Sequence, residues 1–139
     1  MQVYYELSLI LLRIVTGFLF MEHGAQKLFG LLGSHGTQVF PHLLWFAGAL
    51  EFFGGLLVLI GLFTRPVAFI LSGEMAFAYF MAHAPHGFWP ILNHGEAAVL
   101  YCFVFFFLGA AGGGWFALDR LFFGRRAPAR RSGFRAAAD

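Results

Sequence analysis

The sequence predicts an all-α membrane protein, a four-transmembrane-helix bundle with both termini in the cytoplasm. Of its 139 residues, 60% are hydrophobic and 19% aromatic, while only 12% are charged, and the mean hydropathy is +0.75. A soluble domain typically carries about 25% charged residues. Twenty phenylalanines would also leave large apolar patches on a water-facing surface, and such patches drive association. These observations exclude an ordinary soluble domain.

Four long apolar stretches predict the four helices, at about 7–23, 43–63, 66–82 and 95–118. A bilayer-spanning helix needs about 20 mostly apolar residues. A membrane β-barrel would instead alternate in polarity over segments of about 10 residues. The first stretch is not expected to be a signal peptide, since it lacks a basic leading region and a clear cleavage site before Gly24. We therefore expect one helical domain over 1–123.

The basic residues predict the orientation of the bundle. Arg65 lies between the second and third stretches, and six arginines follow the fourth. Both places fall on one side of a four-helix protein, and basic loops mark the cytoplasmic side. The tail 124–139 is rich in Arg, Ala and Pro and is expected to be disordered. The favoured interpretation of its charge is a topology signal, with attraction to anionic lipid as the alternative.

Three ionisable residues lie deep in the predicted helices: Arg13, Glu51 and Glu74. Each costs roughly 2.5–3.5 kcal/mol at the centre of a bilayer-spanning helix on insertion scales, so such residues normally face a partner inside the bundle. Their depths along the helices would let Arg13 reach one or both glutamates. Two hypotheses follow. The buried charge network fixes helix register, which the sequence favours, or its surplus carboxylate relays protons.

A second polar set is predicted at the outer mouth of the bundle. It consists of Glu22, His23, Lys27, His83, His86, His94 and Glu96. Imidazole and carboxylate side chains are competent metal ligands, but their spacing matches no metal motif, and no metal is assigned. A quinone site is the second hypothesis, because a His or Lys donor beside an acid suits a quinone carbonyl. Interfacial residues that cap helix ends are the third and favoured interpretation.

Haem is not expected as a cofactor. Two axial histidines would have to face one another inside the core, but every histidine falls at or beyond the end of a predicted helix. The C-x-x-C-H motif of covalent haem attachment is also absent from the sequence.

Three segments carry a family resemblance that covers roughly 7–121. RIVTGFLFMEHGAQKLFG, ALEFFGGLLVLIGLFTRPVA and HGFWPILNHGEAAVLYCFVFFFLGAAGGGWFALD resemble the DoxX family of small four-helix membrane proteins. One departure is Ala117, which stands where the family often has a serine. The resemblance implies a protein of the bacterial inner membrane. It also implies an association with redox chemistry, since some relatives look like membrane subunits of a thiosulfate:quinone oxidoreductase.

Two functional hypotheses result. In the first, the chain is a redox-associated membrane subunit that binds quinone or a similar small carrier at its outer face and receives electrons from a partner redox protein. It would then be at most one subunit of a membrane oxidoreductase, and no catalytic residue is assigned. In the second, it is a non-enzymatic scaffold or small-solute pathway with a structural charge network. The expected partners are the lipid bilayer and a second copy of the chain, and nucleic acid is not among them.

Overall fold

The computed structural model describes residues 1–33 and 42–123, and within these ranges every regular element is helical. The all-α prediction is therefore confirmed for the described part of the chain. The predicted basic tail and part of the first outer connection lie outside the described residues.

Six α-helices make up this part of the protein. They are α1 (Gln2–Phe29), α2 (Leu43–Ile60), α3 (Thr64–Ala78), α4 (Pro90–Asn93), α5 (Glu96–Ala111) and α6 (Leu118–Phe123). The chain leaves α3 through a π-helical turn, Tyr79–His83, and a 3-10 turn, Ala84–His86.

All four predicted helices differ from their predicted bounds at one end or both, and glycines explain the two largest differences at the C-terminal ends. α1 continues six residues beyond the predicted end at 23, until Gly30 adopts a left-handed conformation with φ 65°, a common helix terminator. The predicted fourth helix ends at Ala111 rather than near 118, because Gly112 and Gly114 have positive φ angles of 86° and 74°. The chain then starts a separate short helix, α6.

Among the described residues, three helical segments are long and apolar enough to cross a bilayer: Gln2–Phe29, Leu43–Ile60 and Thr64–His86. The fourth long helix, α5, has 16 residues and is therefore about 24 Å long at 1.5 Å per residue, short of an approximately 30 Å hydrocarbon core. The chain is thus a helical membrane protein, whereas the four-span count and the cytoplasmic termini stay predictions.

The long helices pack as two pairs, α1 with α2 and α3 with α5. Glycines bring the backbones of the first pair together. A Cβ atom added to Gly17 would lie 2.8 Å from the carbonyl oxygen of Gly55, and one added to Gly24 would lie 2.6 Å from that of Gly48. Small residues at such crossings let membrane helices approach closely. The α1–α2 pair is therefore a tightly fitted unit.

Aromatic packing joins the two pairs. The ring of Phe20 on α1 lies 5.1 Å from that of Tyr101 and 4.7 Å from that of Phe105, both on α5. Phe20 and Phe105 are buried, as are Leu71 and Leu108 of the second pair. Large apolar side chains elsewhere point outward, as expected of helices whose surroundings are lipid.

Candidate functional site

Arg13 binds backbone carbonyls rather than glutamates. Its side chain is 1% exposed, and its guanidinium donates to the carbonyl oxygens of Val58 (3.1 Å), Leu59 (2.9 Å) and Phe116 (3.2 Å). The predicted pairing of Arg13 with the buried glutamates is therefore wrong. The physical reason is the antiparallel packing of α1 on α2, which sets Arg13 against the last turn of α2, where carbonyls lack partners within the helix.

Asp119, at the same end of the molecule, connects α6 to the start of α3 and to the end of α2. Its carboxylate accepts hydrogen bonds from the backbone N–H groups of Phe63 (2.6 Å) and Thr64 (2.9 Å), at the start of α3. Its own backbone N–H donates to the carbonyl of Gly61 (2.9 Å). Asp119 also attracts Arg13 electrostatically. The two charged residues thus hold α2, α3 and α6 together, which is a structural task.

Lys27, rather than Arg13, forms the ion pair with Glu51. Because α1 extends to Phe29, Lys27 is helical and its ammonium donates to the Oε1 atom of Glu51. The side chain of Glu51 is 4% exposed and that of Lys27 is 32% exposed, so the carboxylate lies inside the bundle and the ammonium lies at its edge. The Oε2 atom of Glu51 is buried and has no hydrogen-bond partner among the described residues.

Glu74 adds a second buried carboxyl group. Both of its carboxyl oxygens are buried and accept no hydrogen bond within 1–33 and 42–123. Glu74 interacts electrostatically with Glu51 and Lys27. Around this point the described residues therefore set one ammonium against two carboxyl groups. Lys27 stands where the prediction placed Arg13, and a proton relay through a surplus carboxyl group stays a prediction.

A cavity of about 150 Å³ lies at the seam between the helix pairs, and its wall includes Lys27 and Glu51 but not Glu74. Its polar lining consists of His23, Lys27, Glu51, His83 and Tyr101. Its apolar lining consists of Phe20, Met75, Ala78, Ala97 and Ala98. Each of α1, α2 and α5, together with α3 and its π-helical turn, contributes to the wall. One member of the predicted inner network and three members of the predicted outer set thus meet in one space.

The π-helical turn orients His83 in this wall. The Nδ1 atom of His83 lies 3.0 Å from the carbonyl oxygen of Asn93. A carbonyl oxygen can only accept, so Nδ1 donates to it, and Nε2 is an acceptor whenever the ring carries a single proton. Asn93 is itself fixed by donating to the carbonyl of Gly87 (2.6 Å). Single π-helical turns are frequent at functional sites.

The other members of the predicted outer set lie outside the cavity wall. His86, His94 and Glu96 are exposed, and Glu22 is half-buried. His86 contacts the backbone carbonyl of Ala82 in the preceding π-helical turn (3.1 Å), and Glu96 lies in the first turn of α5. No group of three or more His, Cys, Asp and Glu side chains in the described ranges is arranged to hold a metal ion.

Tyr101 belongs to the cavity but was not predicted from the sequence. Its ring lies 5.9 Å from the ring of His23 and nearly perpendicular to it, at 89°. One signal was available: Tyr101 is the sole phenol of the phenylalanine-rich helix α5, and Ala97 and Ala98 precede it at i−4 and i−3. That spacing places all three on one helix face.

Comparison with known proteins agrees with the resemblance noted from the motifs. The DoxX family profile matches residues 8–84. A protein of Haemophilus influenzae described as uncharacterized is 45% identical over 122 residues, covering 83% of this chain and 90% of its own length. A Bacillus subtilis protein named "Putative oxidoreductase CatD" is 28% identical over 123 residues, covering 86% of this chain and 90% of its own length. No solved structure shows significant similarity to the chain.

Proposed function

The chain belongs to the DoxX family, and we propose that it is a redox-associated membrane subunit that binds a quinone headgroup or a similar small carrier in its seam cavity. The observation that carries this proposal is the composition of the cavity wall. Lys27, Glu51 and Tyr101 face the same space as the aromatic ring of Phe20. The name of the Bacillus subtilis relative supports the redox association in a general way.

The polar groups of the wall suit a carbonyl-bearing ring. The Lys27 ammonium and the Tyr101 hydroxyl are donors for a carbonyl oxygen, and Nε2 of a singly protonated His83 ring is an acceptor for a hydroxyl. Glu51 supplies an acid within the same space for proton transfer. A bound quinone supplies two-electron, two-proton redox chemistry. In this proposal the electrons come from a partner redox protein.

The cavity volume limits what enters it. At about 150 Å³ the space is well below the roughly 300–1,000 Å³ of pockets that enclose a drug-sized ligand. The proposal therefore restricts the bound part to a small ring, with any hydrophobic tail remaining in the bilayer.

Quinone binding is tested with the purified protein and a matched pair of variants. Glu51→Gln removes the buried carboxylate of the cavity, and Glu96→Gln makes the same change at an exposed position outside it. We expect wild-type protein to retain quinone on extraction and to show quenched tryptophan fluorescence with an added short-chain quinone. Losing a hydrogen bond to a charged group costs about 1.5–3 kcal/mol, so Glu51→Gln should weaken binding about tenfold or more.

Two results would oppose this function. One is a wild-type protein that extracts free of quinone and does not respond to added quinone. The other is equal weakening by Glu51→Gln and by the Glu96→Gln control, which would show that the seam cavity is not the binding place.

The proposed topology has four spans, with both termini on the cytoplasmic side of a bacterial inner membrane. Arg65 at the start of α3 and the arginines of the tail support it. Reporter fusions at the two chain ends and in the α1–α2 connection test it. Cytoplasmic signals at both ends and an external signal in the connection are expected, and signals from opposite sides at the two ends would contradict it.

A scaffold or solute pathway is the second candidate function. It is favoured by Arg13 and Asp119, whose charges are used for bonds to the backbone. The same binding assay separates the candidates, because a scaffold has no reason to respond to quinone.

A further inference from the structure

A second candidate binding site lies at the opposite end of the molecule from the seam cavity. A hollow of about 930 Å³ lies where the start of α3, the end of α5 and α6 come together. Its lining includes Phe63, Arg65, Pro66, Arg120 and Phe123. We propose that this hollow binds the phosphate headgroup of an anionic phospholipid, held between the guanidinium groups of Arg65 and Arg120. This inference is independent of quinone binding.

The charges of the hollow support an anionic ligand. Within the described ranges neither Arg65 nor Arg120 forms an ion pair with a carboxylate. Asp119 also lines the hollow, but its two oxygens already accept the N–H groups that begin α3. The two guanidinium groups are therefore available for the phosphate oxygens of a ligand, and their planar donor sets match phosphate geometry.

Arg65 is held at the wall by its surroundings. Its Nη2 atom lies 3.4 Å from the carbonyl oxygen of Ala111 at the end of α5. A Cβ atom at Gly112 would come within 3.1 Å of the Arg65 Nε atom. The missing side chain at Gly112 thus makes the room that the guanidinium occupies.

The apolar rim of the hollow places it at the level of lipid headgroups. Phe63 and Phe123 are 48% and 59% exposed, with rings 5.4 Å apart. In α6 the neighbouring Leu121 and Phe122 are 78% and 70% exposed. Exposed aromatic and aliphatic groups beside arginines are typical of a membrane–water interface. A lipid is the phosphate source that also covers such a rim.

The size and the following sequence agree with this ligand class. A space of about 930 Å³ lies within the roughly 300–1,000 Å³ range of ligand pockets, which a headgroup and the first part of its acyl chains can use. The chain after Phe123 carries five further arginines. Basic pockets beside membrane helices bind anionic headgroups, at about 1 kcal/mol per basic residue near the surface.

The test is native mass spectrometry of the full-length protein in detergent with added phosphatidylglycerol. The test variants are Arg65→Gln, Arg120→Gln and their combination. The charge-matched control is Arg130→Gln with Arg131→Gln, which removes the same charge from the tail. We expect about a fivefold loss of bound lipid for each single variant and about 25-fold for the double, with a clearly smaller loss in the control.

Two further arms identify the ligand source, and circular dichroism confirms that the variants remain folded. Phosphatidylcholine in place of phosphatidylglycerol should give few adducts, and millimolar inorganic phosphate should not displace the bound lipid. Equal losses in the tail control would overturn the proposal in favour of diffuse attraction. Displacement by inorganic phosphate would overturn the lipid assignment, and unchanged binding in the double variant would overturn the site.

Discussion

Removal of the Lys27 ammonium by the Lys27→Met substitution should destabilise the protein strongly, because it leaves the buried carboxylate of Glu51 without its ion-pair partner. Glu51 is 4% exposed, and its Oε2 atom already lacks a partner among the described residues. Breaking a buried pair from one side typically costs about 3–5 kcal/mol. Lys27 is 32% exposed, so water reaches this pair in part, and we expect about 2–3 kcal/mol after that discount.

The double variant makes this prediction specific. Glu51→Gln alone leaves an ammonium that can still reach water and should cost about 1 kcal/mol. Combining it with Lys27→Met removes both charges, and replacing both members of a buried pair is often close to neutral. The double variant should therefore be more stable than Lys27→Met alone, with a coupling energy of about 3 kcal/mol.

The free energy of unfolding is measured in mixed micelles by denaturant titration, with tryptophan fluorescence as the signal. Glu96→Gln is the control, since an exposed carboxylate should change the free energy of unfolding by no more than about 0.5 kcal/mol. If the cost of the double variant equals the sum of the two single costs within about 0.5 kcal/mol, the reasoning is refuted. The ammonium and the carboxylate would then contribute to stability independently of one another.

Three further substitutions, with Gly73→Ala as a control, test the packing of the helices in the same unfolding assay. Gly17→Ala should cost about 1–3 kcal/mol, because its Cβ would lie 2.7 Å from the backbone nitrogen of Leu59. The control Gly73→Ala meets nothing within 4 Å and should be neutral or stabilising. Equal effects of the two substitutions would contradict the close helix crossing. Asp119→Ala should cost about 2 kcal/mol through loss of the cap on α3, and a change below about 0.5 kcal/mol would refute that role. Tyr79→Phe should cost about 1 kcal/mol through loss of its 2.5 Å hydrogen bond to a loop carbonyl, and an unchanged stability would show that the bond contributes nothing net.

The sequence predicted the helical class well because the signal for it is local. Apolar runs and the glycines that follow them can be recognised within a short stretch of sequence. For example, α2 begins at the predicted residue, Leu43. The membrane setting follows from the same runs. Glycine conformation is less visible in sequence, so the prediction carried the fourth helix past Gly112, where the backbone in fact leaves the helical region.

The partners of the buried charges could not be predicted in the same way. Depth along a helix can be counted from the sequence, but the register between two helices depends on where their glycines meet. The crossing of Gly17 with Gly55 sets Arg13 against the end of α2 and leaves Glu51 for Lys27. Asp119 bonds to Thr64 across 55 residues, a distance that no local pattern spans.

The pairing of helices has a consequence for how the seam cavity opens. Lys27 and Glu51 both belong to the α1–α2 unit, whose glycine crossings leave no slack, whereas Tyr101 and His83 belong to the other unit. A small separation of the units therefore widens the cavity while the ion pair stays closed. Entry and exit of a guest then depend on the aromatic contact of Phe20 with Tyr101 and Phe105, while the bonds of Arg13 and Asp119 keep the two units joined at the other end of the molecule.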